Sequence, residues 1–326
     1  MGMSKLREAV HGRAVHGGSL TAEALTAHPA LHTRLRHQAR LLLDAYEASP
    51  RLASVFATQQ RWLMAHIALS LYFRGVASVD RGDFTAARFL EAVAVSGAAS
   101  RNTADSFLQE MLRYEYVRRL PGGADRRRHP LEPTEASLDA IRGWLMVHLS
   151  TLDGFDDGQR LATFLDCPDA AAILHPLVAD GLLASPRIRE PSGTFALFTW
   201  LDNGGIVMDW LIAGMEPAPA GTERIPTGIV SVAAMAEWLK LSRTHLSRKL
   251  RDAEALGSLG WLGKRGHSVM WVSDGFRREY VATQAAKLAI VDHAFDTGFR
   301  GAAAAVAARR AETPPKNGQR LGAAAN

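Results

Sequence analysis

The chain has 326 residues, 47% hydrophobic and 22% charged, enough apolar material for a sizeable core and too much for a disordered chain. Lys plus Arg number 38 against 33 Asp plus Glu, a formal charge of +5, and arginine carries it because only six of the 38 are lysine. The single cysteine, Cys167, excludes an intrachain disulfide and a cysteine-rich zinc site and points to a reducing compartment, by default the cytoplasm.

Residues 1–19 mix Gly, His and charge (Lys5, Arg7, Glu8, His11, Arg13, His16) with no apolar core, so they are expected to form a flexible arm rather than a secretory signal. The most apolar runs, 63–73 and 206–215, are interrupted by His66 and Asp209 and are too short to cross a bilayer. Further along, 85–96 reads as a helix and Gly97 as a turn, with Ser100 the N-cap of a second helix through Tyr114. A strand over 116–120, a Pro121-Gly122-Gly123 turn and a basic tip of Asp125, Arg126, Arg127 and Arg128 follow, returning through His129 and Leu131. Thr134 then caps an amphipathic helix with Leu138, Ile141, Leu145 and Leu149 on one side.

The second half repeats the plan. Residues 231–241 read as a helix with Val232, Met235, Ala236 and Leu239 on its apolar face, and Ser242 caps the helix 242–251. Leu246 and Leu250 lie four apart on its buried side, leaving Arg243, Thr244, Ser247, Arg248 and Arg251 elsewhere. A hairpin follows, with 269–272 as a strand and Lys264, Arg265 and His267 at the tip. From Gly301 an Ala-rich helix is expected to fray into a disordered tail, the whole assigned to 300–326.

Self-similarity ties the halves together. Ala48-Ser49-Pro50-Arg51-Leu52 recurs as Ala184-Ser185-Pro186-Arg187-Ile188 at an offset of 136. At 139, Phe56, Ile67, Leu71, Phe73 and Gly75 meet Phe195, Ile206, Trp210, Ile212 and Gly214; at 142, Ala94, Ser100, Arg101, Leu108 and Leu120 meet Ala236, Ser242, Arg243, Leu250 and Leu262. At 144, Gly154-Phe155 meets Gly298-Phe299. Blocks in the same order, with offsets drifting one way, are expected of a duplicated module whose loops differ in length. The expected fold class is mostly α with small β-hairpin wings, built as two tandem modules, 20–155 and 156–299.

The segment ASRNTADSFLQEMLRYEYVRRLPGGADRRRHPLEPTEAS resembles the recognition helix, strand, wing and closing helix of the MarR family of winged-helix transcriptional regulators, with Asp125 and Arg127 as the matching wing residues. The string SVAAMAEWLKLSRTHLSRKL is similar in its helix-turn-helix, while the wing after it lacks the Asp-x-Arg pattern. The resemblance implies a DNA-binding regulator. Family members are dimers of single modules, so this chain, with two in tandem, is expected to be a single-chain pseudo-dimer that does not need homodimerisation. It also implies a small-molecule effector seated between the helical part and the winged helix.

The expected DNA-contacting residues are Ser100, Arg101, Asn102, Thr103, Arg126, Arg127 and Arg128 in the first module. In the second they are Ser242, Arg243, Thr244, His245, Ser247, Arg248, Lys249, Lys264 and Arg265. Arg243 is the candidate for a bidentate contact to guanine, with Arg248 and Lys249 reaching phosphate. Residues 154–223 carry three Arg and ten acids, whereas 224–326 carry 16 basic and eight acidic residues, a dipole that would present the basic end to phosphate. A protein-binding scaffold built from winged helices is the alternative.

No enzyme or cofactor chemistry is expected. Gly263-Lys264 lacks the first glycine and the following hydroxyl of a phosphate-binding loop. Neither a Gly-x-Ser-x-Gly elbow nor a His-Glu-x-x-His helix is present. His28, His32 and His37 do not share one helical face, so no metal site is assigned to them, and Cys167 reads as a buried, inert thiol.

Overall fold

The computed structural model describes residues 19–55, 58–77, 84–121, 129–201, 203–219 and 221–311. Among them the chain is mostly helical, with two small antiparallel sheets. In the first half, α1 (Ala22–Ala27), α2 (Leu31–Ala48), α3 (Pro50–Val55) and α4 (Gln59–Ala77) precede α5 (Ala86–Ser96), α6 (Arg101–Arg113), β1 (Val117–Arg119), β2 (Leu131–Pro133) and α7 (Glu135–Asp156). The second half runs α8 (Arg160–Asp166), α9 (Ala170–Ala184), α10 (Pro186–Arg189), α11 (Gly193–Thr199) and α12 (Gly204–Gly214). Then come β3 (Arg224–Pro226), α13 (Val232–Trp238), α14 (Arg243–Ala255), β4 (Leu259–Trp261), β5 (Met270–Ser273) and α15 (Asp274–Ala311).

Local chemistry sets the helix-turn-helix units. Thr85 caps α5 by accepting the Arg88 N–H, and Gly97 ends it at φ 66°, a left-handed conformation that costs a side-chain-bearing residue about 1–2 kcal/mol. Ser100 Oγ accepts the Thr103 N–H to open α6, which buries Ala104, Phe107, Leu108 and Met111 against Phe89 and Val93 of α5. The hairpin pairs Arg118 with Glu132 in register, and their side chains form an ion pair. A bridge between Thr85 and Pro130 adds a one-residue third strand. In the second half Ser231 and Ser242 are the corresponding N-caps, and the sheet runs in the order β3-β5-β4.

Several sequence expectations need correction. Helix α13 stops at Trp238 rather than 241, because Lys240 adopts φ 54° and the Leu241 N–H turns back to the Ala236 carbonyl at 2.9 Å. Helix α14 runs on to Ala255 because buried Ala253 prolongs the stripe of Leu246 and Leu250. Thr134 sits at the N-cap of α7 but makes no capping bond; its hydroxyl donates to the Tyr116 carbonyl at 3.4 Å. The boundary expected at 300 falls inside α15, which is unbroken to Ala311 because alanine is the best helix former and no proline intervenes. Residues 1–18 of the expected arm and 312–326 of the expected tail lie outside the described residues.

The halves are interleaved. Helix α2 packs along α12 and α9 along α4, while α1 lies against α15 and α8 against α7. Within the halves α2 meets α7 and α9 meets α15, and the two long helices α7 and α15 touch each other. One apolar core, including Leu35, Leu145, Leu174, Val178, Leu211 and Leu288, runs through this bundle and into the second helix-turn-helix. Arg160 clamps it, donating Nε to Asp292 at 2.6 Å and Nη1 to Asp156 at 2.7 Å. Burial works against the Arg160 charge, but its bonds to Asp156 and Asp292 more than compensate and hold it protonated. The first helix-turn-helix keeps a cluster of its own, built on Phe84, Phe89, Phe107 and Met111 with Met64 and Ile67 of α4.

Candidate nucleic-acid interface

Each unit presents the N-terminal turn of its second helix to solvent. On α6, Ser100, Arg101, Asn102 and Thr103 are all exposed, and the Ser100 and Thr103 hydroxyls lie 2.9 Å apart. On α14, Ser242, Arg243, Thr244 and Arg248 are exposed, while His245, Ser247 and Lys249 are half-buried. Ser242 Oγ accepts the His245 N–H at 3.4 Å, so the capping serine is occupied structurally, as is its counterpart Ser100. Among the described residues no ion pair engages Arg101, Arg243, Arg248 or Lys249, and their charges remain available to an anion.

Arg265 differs. Its Nε donates to both Glu254 carboxylate oxygens at 2.9 and 3.1 Å and its Nη2 to the Ser247 carbonyl at 3.4 Å, while Trp261 Nε1 donates to the same Glu254 at 2.8 Å. Arg265 thus braces the hairpin against α14, a use the sequence reading did not foresee because Glu254 approaches it only in three dimensions. Lys264 stays exposed at the turn, where its carbonyl accepts from His267 N–H and Ser268 Oγ. The basic tip Asp125, Arg126, Arg127 and Arg128 lies outside the described residues. Beside it the sequence reading overlooked Arg119, an exposed cation at the end of β1.

Behind the first helix-turn-helix is a cavity of about 710 Å³. The unit itself contributes Phe107, Met111 and Tyr116; Trp62 and His66 come from α4, Trp144 and His148 from α7, Asp209 from α12, and Tyr280 and Lys287 from α15. The cavity therefore lies between the first helix-turn-helix and the bundle, whose apolar clusters still meet through Tyr72, Ala98 and Leu183. The core of the second helix-turn-helix is continuous with the bundle, and a smaller recess of about 400 Å³ lies between them, lined by Leu43, Trp210, Thr227, Ile229 and Trp238 among others.

The cavity wall is dense in buried polar groups. His66 Nδ1 lies 3.0 Å from His175 Nε2 with the rings stacked, and His148 Nδ1 donates to the Trp144 carbonyl at 2.8 Å. Burial brings the pKa of His148 to about 3 against the effect of that carbonyl bond, and burial with nearby Arg74 brings His175 to about 3. His66 is lowered well below its ordinary value, by burial first and then by His175. All three rings are neutral at pH 7. Burial raises Asp209 to about 6 despite the 2.6 Å bond donated by Tyr280. The same burial lowers Lys287, with Asp209 opposing.

Sequence reading saw His66 and Asp209 only as interruptions of apolar runs and missed the other members of this cluster. Cys167 is buried and its pKa is raised by that burial, which keeps the thiol protonated and unreactive. No described helix is long and apolar enough to cross a membrane. No family model, curated protein or solved structure matches the chain.

Proposed function

We propose that the chain is a sequence-reading, double-stranded DNA-binding transcriptional regulator, a MarR-like winged-helix pair fused in tandem into a single-chain pseudo-dimer. The observation that carries the reading is the pair of helices opened by Ser100 and Ser242, each followed at its first position by an exposed arginine that no ion pair engages among the described residues. The N-terminal turn of a helix-turn-helix second helix is the part that reaches base edges in a major groove.

Repetition of the elements supports the tandem reading. At an offset of 142, α6 falls on α14 from first residue to last and β1 falls on β4. The packing is reciprocal in the same sense: α2 on α12 mirrors α9 on α4, and α1 on α15 mirrors α8 on α7. Swapped contacts of this kind are what an approximate twofold between two copies produces.

In this reading Arg243 meets the O6 and N7 of guanine with two parallel bonds, a contact worth about 1–3 kcal/mol of discrimination. Arg248, five residues on, lies farther from the N-terminus and neutralises phosphate, with Lys249 and Lys264 adding charge. Arg265 serves by holding the hairpin to α14. The cavity beneath the first unit is where a small molecule would set that unit's position relative to the bundle. Titrating binding to random duplex DNA against salt tests the reading. A steep linear fall of log affinity with log salt, roughly 0.9 per phosphate neutralised, is expected. A chain that serves as a protein scaffold would bind such DNA negligibly at every salt concentration.

A further inference from the structure

We infer that Trp200 is a further DNA-contacting side chain, whose indole packs on the sugar-phosphate backbone beside the half-site read through α14. The inference rests on the DNA-binding reading and deepens it. If the chain binds no DNA both fail; if it binds DNA without engaging Trp200, only the inference fails.

The position of Trp200 follows from how α11 is held. At its start the Thr194 and Phe195 N–H groups donate to Glu279 Oε2 at 2.9 and 3.2 Å, and the Thr194 hydroxyl bonds the Ser258 hydroxyl just beyond the end of α14. At the other end, three residues past Trp200, the Asn203 amide donates to the Leu239 carbonyl at 3.2 Å and to the Tyr46 hydroxyl, also at 3.2 Å. Leu239 stands three residues before Ser242, the N-cap of α14. Helix α11 therefore runs antiparallel to α14 and packs on it. Its C-cap residue, Trp200, comes to lie at the N-terminal end of α14, beside the turn that leads into that helix.

The core does not account for an indole at this place. Trp200 is 68% exposed, while Phe198 and Leu201 on either side of it are buried. It is the one exposed tryptophan of the chain's seven; the other six are half-buried. The charge around it points to what covers it. Residues 237–251 hold five basic residues and one acid. Lys240, Arg243 and Arg248 are exposed, and among the described residues no ion pair engages them. A partner that suits both the cations and the ring must be polyanionic yet carry apolar surface. The DNA backbone does so: its phosphates meet the cations and accept from the indole N–H, a group that only donates, and its deoxyribose faces cover the ring.

The first unit has no such side chain. Its turn is held in the same manner, by Gln60 at the start of α4 donating to the Ala98 carbonyl at 3.1 Å, but the residue three before Gln60 in the sequence is Ala57. The contact belongs to one half-site.

Binding of the full chain to random-sequence duplex DNA, titrated over a range of salt, tests the inference. Trp200→Ala should weaken binding about fivefold to thirtyfold and by the same factor at every salt concentration, because an indole releases no counterion. Arg248→Gln, by contrast, should flatten the logarithmic salt slope by about 0.9. Trp200→Phe should recover most of the affinity lost in Trp200→Ala. Acrylamide quenching of tryptophan emission reads the contact directly: the free wild type should show an accessible class that added DNA protects, and Trp200→Phe should lack that class. Circular dichroism of each variant establishes that it is folded. Unchanged affinity in Trp200→Ala, a slope reduced as in Arg248→Gln, or quenching that DNA leaves unaltered would each overturn the inference. Protection that appears on concentrating the free chain without DNA would assign the indole to a contact between copies and overturn it as well.

Discussion

Lowering the pH from 7 to 5 should destabilise the fold through the neutral histidines around the cavity. A histidine held at about 3 in the folded chain, as His148 and His175 are, has an unfolded value near 6.5. The unfolded state therefore binds more protons across the whole window between these values, and stability falls as pH falls. Between pH 7 and pH 5 the loss is about 1.9 kcal/mol for each of the two rings, or roughly 4 kcal/mol together, by proton linkage. Asp209 acts in the opposite sense, because a carboxyl raised to about 6 takes up its proton in the folded state first. It returns about 1.3 kcal/mol over the same interval, and the raised Asp292 works in the same direction. His66, lowered as well, adds to the loss. The expected net change is thus of order 2–3 kcal/mol, a large part of a typical domain's stability of about 5–15 kcal/mol. Urea unfolding followed by tryptophan fluorescence at the two pH values measures it. His148→Gln should show a smaller pH dependence by about 2 kcal/mol. A midpoint that is unchanged or higher at pH 5 would refute the burial of these rings in neutral form.

Further consequences follow from single side chains. Arg160→Ala removes the partner of fully buried Asp292 and should destabilise by about 3–5 kcal/mol in chemical unfolding; a loss under 1 kcal/mol would mean water reaches the site. Gly97→Ala forces a side chain to φ 66° within 3.3 Å of the Arg189 guanidinium and should cost about 1–2 kcal/mol, whereas Lys240→Gly, at φ 54°, should be neutral or stabilising by about 1 kcal/mol; the reverse order of melting temperatures would contradict the turn geometry. Arg243→Lys should keep most non-specific DNA affinity but relax preference at one base pair, and Arg101→Lys should do so in the other half-site. Identical motifs selected from a random pool by the wild type and both variants would remove these arginines from base reading.

What the sequence disclosed depended on distance along the chain. The caps at Ser100 and Ser242, the Gly97 turn and the Leu246–Leu250 stripe are local features, each settled by residues within a turn or two, and they were legible, whereas Thr134 was read as a cap but makes no capping bond. Strand β3 was not, since its pairing of Ile225 with Val272 joins segments that share no local signal. Arg265 was read as free because its partner Glu254 lies on the preceding helix, across the hairpin. The cavity was the least legible element. It is assembled from α2, α4, α6, α7, α11, α12 and α15, and its sequence traces were the polar interruptions His66 and Asp209 and a lone lysine, Lys287, in an otherwise apolar stretch of α15.

The composition of the complex with DNA tests the single-chain regulator most directly. A duplex selected from a random pool, bound to the full chain and sized by sedimentation with its footprint mapped, should contain one protein chain on two half-sites about one helical turn, roughly 34–36 Å, apart. Two chains per duplex, each protecting one half-site, or no selectable duplex at all, would contradict it.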